Sequence, residues 1–270
     1  MKNYIKKIII LCLIPIGYMG GLYVFQNNLL FYPDIRYINP QVSNLNFQEI
    51  NLTAKDGNPI RLWYAEGDKT KPAVIFLHGN SGQISKFANQ FNVLAEAGYG
   101  VLAMEYRSFA GVPGTIRQDA IFSDAAQAFD FLKEQGYTSI VAYGYSFGSA
   151  MAAGLTSLRE TDGLILTAPF YSLVREVADQ PVPFAKYVLR DEYPSYKYIG
   201  QFTKPLLIVA GRNDHLISWK HAQDLFNISS SAQKEIYILD NKNHHTVYFD
   251  GSNLPYILKF LKNLEMQKKG

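Results

Sequence analysis

The chain has 270 residues, 48% of them hydrophobic and 14% aromatic, with a formal charge of +3. That composition is too apolar and too nearly neutral for a disordered chain, and the length suits one large globular domain or two small ones. Lys2, Lys6 and Lys7 carry the whole excess charge, since 23 basic and 23 acidic residues remain without them, so no nucleic-acid partner is expected.

Behind those lysines, residues 8–25 form 18 uncharged, mostly apolar positions. As a helix they would span about 27 Å, against a hydrocarbon core of about 30 Å. A signal peptide needs small residues at its cleavage site, and here the only such pair is built on Pro15. A lipoprotein would use Cys12, but Leu11 is too bulky to precede it. An uncleaved anchor is the preferred reading. Phe31 and Tyr32 fall where an interface belt belongs, and the lysine flank puts the N-terminus in the cytoplasm and the rest of the chain on the non-cytoplasmic side. Residues 1–33 thus read as a membrane anchor with an interface segment, and 34–270 as the globular domain.

From Phe47 onward, short β-branched runs alternate with helical patterns. That alternation predicts an α/β fold with a mostly parallel, eight-stranded sheet flanked by helices. The predicted strands are 47–52, 60–65, 73–77, 100–105, 140–145, 163–168, 205–210 and 235–240. The turn-rich "TAKDGNP" between the first two suggests an antiparallel hairpin. Strands 73–77 and 205–210 are unbroken apolar runs, as burial on both faces requires. Within 115–135, Ile121, Ala125, Ala128, Phe129 and Leu132 share one helical face and read as core. A helix is also expected after residue 146 and another at 255–266. The aromatic- and proline-rich stretch 169–200 breaks the alternation, as either a short cap over a cleft or an extended loop with a helix.

The stretch "IVAYGYSFGSA", 140–150, places Ser146 between Gly144 and Gly148. Gly-x-Ser-x-Gly arises by chance in roughly one chain in ten of this length, so its context decides its meaning. Strand, tight turn and helix is the context in which such a serine is exposed as a nucleophile. A serine hydroxyl is weak by itself and needs a base oriented by a carboxylate. In this arrangement the partners follow in the order Ser, Asp or Glu, His, each beyond a later strand. Asp214 follows 205–210 in "RNDHLIS", and His244 and His245 follow 235–240 in "NKNHHTVYF". Asp214 could instead be a turn former, and Asp240 is a rival carboxylate. His244 is preferred to His245 as the base, with His245 facing solvent. The oxyanion amides are expected at Phe147, next after the serine, and at Asn80, where Gly79 lets the loop turn in close. His78 reads as a loop-packing residue, and His215 and His221 as surface or helix histidines for which the sequence implies no partner. One cysteine and no His-Glu-x-x-His or Cys-x-x-Cys spacing give no support for an intramolecular disulfide or a metal site.

The set "LHGNSGQIS", "EYRSFAGVPG", "GYSFG", "GRND" and "NHHT" resembles the α/β-hydrolases over nearly the whole chain. Within them it looks like the Bem46-like group, which includes membrane-anchored serine hydrolases. The resemblance implies Ser146 as nucleophile, Asp214 as the orienting acid and His244 as the base. Asn243 stands where the family usually has Gly, and Glu105-Tyr106-Arg107-Ser108-Phe109-Ala110 replaces its usual Asp-Tyr-Arg-Gly-x-Gly loop. An aspartate-nucleophile relative is disfavoured because position 146 is serine. The expected activity is cofactor-free hydrolysis of carboxylic esters, thioesters or lipid esters through an acyl-enzyme. The alternatives are a non-catalytic binding module of the same fold, or a peptidase or amidase using the same residues.

Overall fold

A computed structural model describes residues 2–40 and 46–269, and within them the side chains of 13–40 and 46–267. The elements in chain order are α1 (Lys2–Leu30), β1 (Tyr32–Pro33), β2 (Gln48–Thr53), β3 (Pro59–Ala65), β4 (Ala73–Leu77), β5 (Ser81–Gly82), α2 (Ala88–Glu96), β6 (Gly100–Met104), α3 (Gln118–Glu134), β7 (Ile140–Tyr145), α4 (Phe147–Leu155), β8 (Gly163–Thr167), α5 (Leu173–Asp179), α6 (Ser195–Ile199), β9 (Leu206–Gly211), α7 (Trp219–Ile228), β10 (Lys234–Leu239), α8 (Thr246–Phe249) and α9 (Leu254–Lys269).

Eight strands form one sheet in the order β10-β9-β8-β7-β4-β6-β3-β2. The β2–β3 and β3–β6 pairs are antiparallel and the remaining pairs parallel. This is the mostly parallel, helix-flanked sheet that the alternation predicts and the α/β-hydrolase architecture that the resemblance implies, and each of the eight strands lies within one residue of its expected bounds. Where the bounds differ, local geometry gives the reason. Strand β8 stops at Thr167 because Ala168 turns left-handed at φ 50°. Helix α3 starts three residues later than expected, after Gly114 at φ 100° and an extended Arg117.

The period-two pattern of the central strands divides two cores. Ala73, Ile75 and Leu77 of β4 face a layer that includes α3, α4 and α7, while Val74 and Phe76 face α2, α8 and α9. Both faces are therefore dry, which is why these strands carry no polar alternation. Strand β4 pairs with β6 on one side and β7 on the other. The chain leaves β4 first towards one edge and later towards the other, so the loops after β4 and β7 diverge and open a crevice at their C-terminal ends. Asn80 and Ser146 stand in those two loops.

Two features that the sequence did not announce tie the N-terminal segment to this crevice. Strands β1 and β5 form a two-residue parallel bridge, and Tyr32 N–H donates to Asn80 O at 2.9 Å. The Asn80 side chain donates back to Leu30 O at 2.7 Å. Gln26, buried in the last turns of α1, donates to Val188 O and accepts from Arg190 N–H. The end of α1 therefore packs on the sheet domain rather than leading freely to it. Of the expected anchor span, residues 8–12 lie outside the described side chains. Among the described residues no helix is long and apolar enough to cross a membrane.

Candidate active site

Ser146 is held at φ 54° and ψ −122° between β7 and α4. A non-glycine residue there costs on the order of 1–3 kcal/mol. The flanking glycines make that turn possible. A Cβ on Gly144 would lie 2.2 Å from Gly148 O, and one on Gly148 would lie 1.9 Å from Leu77 O. Both obstacles are backbone atoms, so no rotamer change relieves them. Ser146 N–H donates to Thr167 O at 2.8 Å, fixing the turn to β8.

The structure brings Ser146, His244 and Asp214 together. Ser146 Oγ lies 2.9 Å from His244 Nε2, and His244 Nδ1 lies 2.7 Å from Asp214 Oδ2. All three residues are buried. Asp214 is fixed by its second oxygen, which accepts from Leu216 N–H and Ile217 N–H at 2.9 Å each. With the Asp214 carboxylate accepting at Nδ1–H, the imidazole presents a bare Nε2, to which the Ser146 hydroxyl donates. Such a chain can take the hydroxyl proton as the oxygen attacks, and return it to a leaving group.

His244 is placed from two sides. Tyr145 O–H donates to its carbonyl at 3.0 Å, and Asn243 Oδ1 accepts from His245 N–H and Thr246 N–H to start α8. Asparagine at 243 thus builds a local turn by its side chain. His245 itself is exposed. Asp240, the rival carboxylate, is exposed and pairs with Arg212 at 2.6 Å.

Asn80 and Phe147 line the same cavity as Ser146 and His244, a space of about 280 Å³. The Phe147 amide opens α4 and has no acceptor within the helix. His78 lies beneath this loop, fully buried, with Nε2 2.9 Å from Glu105 Oε1. Glu105 also accepts from Ile84 N–H, and Tyr106 O–H donates to His78 O. The altered loop after β6 therefore braces the turn that carries Asn80.

Residues 169–200 fold as α5, a 3₁₀ turn at Ala185–Tyr187 and α6. Leu173, Glu176, Val177 and Gln180 of this segment line the cavity, so it covers the cleft. Glu176 carries no motif, and sequence reasoning missed it. Burial, reinforced by the charges of Asp179 and Asp214, pushes its carboxyl up to about 7. His221 lies on a helix, α7, as one of its two expected placements had it, but it is not at the surface and it has partners that the sequence did not imply. It is buried, its Nδ1 accepts from Tyr171 N–H at 3.0 Å, and its Nε2 lies 2.9 Å from Asp179 Oδ2. It pins the base of the cap, a role invisible in sequence because both partners lie more than forty positions away. His215 is exposed. Among the described residues no group of three or more His, Cys, Asp or Glu side chains could hold a metal ion.

Fold and cleft together have the α/β-hydrolase architecture, a mostly parallel sheet flanked by helices. Residues 68–199 match the family profile described as serine aminopeptidase, S33. The chain is similar to YfhR of Escherichia coli (strain K12), at 26% identity over 227 residues, covering 80% of this chain and 79% of that one. It is also similar to the lysophosphatidylserine lipase ABHD12 of Xenopus tropicalis, at 26% identity over 241 residues, covering 76% and 61%. Among solved structures, the Pyrococcus furiosus esterase Pf2001 superposes with a TM-score of 0.71 at 19% identity, covering 87% of this chain and 99% of that one. These similarities are to hydrolases of the esterase, lipase and peptidase kind.

Proposed function

We propose that the protein is a serine hydrolase that cleaves carboxylic esters, thioesters or lipid esters included, in the manner of the Bem46-like group. Ser146 attacks the acyl carbonyl while His244 takes its proton, Asp214 holds the imidazole, and the amides of Asn80 and Phe147 receive the oxyanion. His244 then protonates the departing alkoxide, and a water activated by the same imidazole hydrolyses the acyl-enzyme. No cofactor is required. The observation that carries this reading is the unbroken chain from Ser146 Oγ through His244 to Asp214 Oδ2, at 2.9 and 2.7 Å. Each oxyanion donor is typically worth about 3 kcal/mol in the transition state.

A fluorophosphonate probe should label the full chain and not its Ser146→Ala variant, and p-nitrophenyl esters should be hydrolysed only by the former. Absence of labelling in the folded wild type would overturn the reading. The serine aminopeptidase profile over 68–199 supports a second reading, amide cleavage by the same residues. Aminoacyl p-nitroanilides turned over faster than the matching esters would favour it. The lysine-flanked run in α1 supports a membrane tether with the catalytic domain on the non-cytoplasmic side. A reporter fused after Gly270 that reads as cytoplasmic would refute that orientation.

A further inference from the structure

Beside the catalytic cavity lies a second cavity of about 360 Å³, between the last turns of α1 and the cap. The two spaces share Leu29, Leu30, Tyr32, Val177 and Gln180 as common wall. One side of the second cavity is Leu22 and Gln26 of α1, and the other is Val182, Ala185, Val188 and Leu189 of the cap.

Among the described residues no charged side chain lines this space, and its few polar groups are already bonded within the protein. Gln26 is held by Tyr23 O, Val188 O and Arg190 N–H. Gln180 donates to Glu176 and Leu216 O, and Tyr32 O–H donates to Leu29 O. A polar ligand entering here would lose its water and find little in return. A hydrocarbon chain loses nothing and gains the apolar contact.

We propose that this cavity is the binding site for one alkyl chain of the substrate, so that the N-terminal helix is part of the active site as well as its leader. The proposal rests on the ester-hydrolase reading of Ser146. The reacting carbonyl sits at Ser146, and the chain passes the shared wall into the space between α1 and the cap. At about 30 Å³ for a water-sized group, the cavity takes on the order of ten methylenes. The substrate class is therefore a medium- to long-chain ester or thioester, and short-chain esters react without using the site. Gln26 acts as a positioning residue, since its two bonds to Val188 O and Arg190 N–H fix α1 against the cap and keep the cavity open.

The test uses the full chain in detergent micelles with two substrate series, p-nitrophenyl esters graded in the acyl chain and acetate esters graded in the alcohol. In wild type, kcat/KM should rise along one series by up to about fourfold per methylene, the factor equivalent to about 0.8 kcal/mol. The series that rises identifies which chain enters. Leu22→Trp on α1 and Val188→Trp on the cap fill the space from opposite sides without touching the catalytic cavity. Each should cut activity on the ten-carbon substrate at least tenfold and leave p-nitrophenyl acetate within twofold, which also shows that the variant is folded. Tryptophan variants that keep the wild-type chain-length profile would overturn the proposal, as would a flat wild-type profile in both series. A binding measurement separates this from failure of the hydrolase reading. Ser146→Ala protein should bind a fluorescent fatty acid that decanoate displaces, and the same protein carrying Val188→Trp should not. Equal binding by both would refute the alkyl site whether or not any ester is hydrolysed.

Discussion

Asp214→Asn is a perturbation whose consequence can be worked out atom by atom. Asp214 Oδ1 accepts from Leu216 N–H and Ile217 N–H at 2.9 Å, and Oδ2 faces His244 Nδ1 at 2.7 Å. An asparagine keeps the two backbone bonds only if its amide oxygen occupies the Oδ1 position. The reverse orientation would set an NH2 against two N–H donors and leave both unpaired, at about 1–3 kcal/mol each. In the favoured orientation an NH2 group faces Nδ1, which must then be the acceptor. The ring proton moves to Nε2, 2.9 Å from Ser146 Oγ, where a lone pair is required. The imidazole can no longer receive the hydroxyl proton. A wrong tautomer of this kind lowers kcat by about 10⁴ in the serine-protease template, or about 5.5 kcal/mol of barrier. Shape and backbone bonds survive, so a thermal melt should report a folded protein. Steady-state hydrolysis of p-nitrophenyl acetate and the rate of fluorophosphonate labelling both read the effect. A folded Asp214→Asn protein retaining more than a tenth of wild-type activity would show that Asp214 does not orient the base.

Three further outcomes follow from the same geometry. His244→Ala should lose at least a thousandfold in kcat/KM on a short ester, while His245→Ala, an exposed neighbour, should stay within about threefold; equal losses in the two would refute the assignment. Gly148→Ala places a Cβ 1.9 Å from Leu77 O, and with backbone on both sides it should cost about 3 kcal/mol or more, read as a lowered Tm or loss of soluble protein. Glu176 has a folded pKa of about 7, raised above the usual 4.5 chiefly by burial; the native state then holds a proton that the unfolded chain releases, so its favourable contribution is complete below about pH 4.5 and is lost as pH rises to about 7. Glu176→Gln should accordingly raise Tm relative to wild type more at pH 8 than at pH 5, and a pH-independent difference would contradict the buried, protonated carboxyl.

The parts of the fold that were legible in the sequence are those governed by short-range patterns. Unbroken apolar runs such as 73–77 and 205–210 mark strands dry on both faces, and the face built on Ile121, Ala125 and Leu132 marks α3. Candidate site residues could be named because the chemistry ties them to strand ends: Ser146 after β7, Asp214 after β9, His244 after β10. The cap was ambiguous for the opposite reason. Its helices α5 and α6 are short, and α5 is set on the cleft by Ser172 capping Arg175 N–H and by His221 reaching Tyr171 from α7. Such contacts leave no periodic trace.

By itself, the sequence determined the class of architecture, the order of the strands along the chain and the residue types at their ends. These depend on apolar period, on turn chemistry and on two glycines at positions where the Cβ of any other residue would strike backbone. Only the tertiary structure decided which groups meet. Ser146 and His244 are 98 positions apart and Gln26 and Val188 are 162 apart. Their approach within hydrogen-bond distance depends on strand order and on how α1 settles against the cap. Those distances are set by packing across the sheet and not by anything within reach of a local pattern.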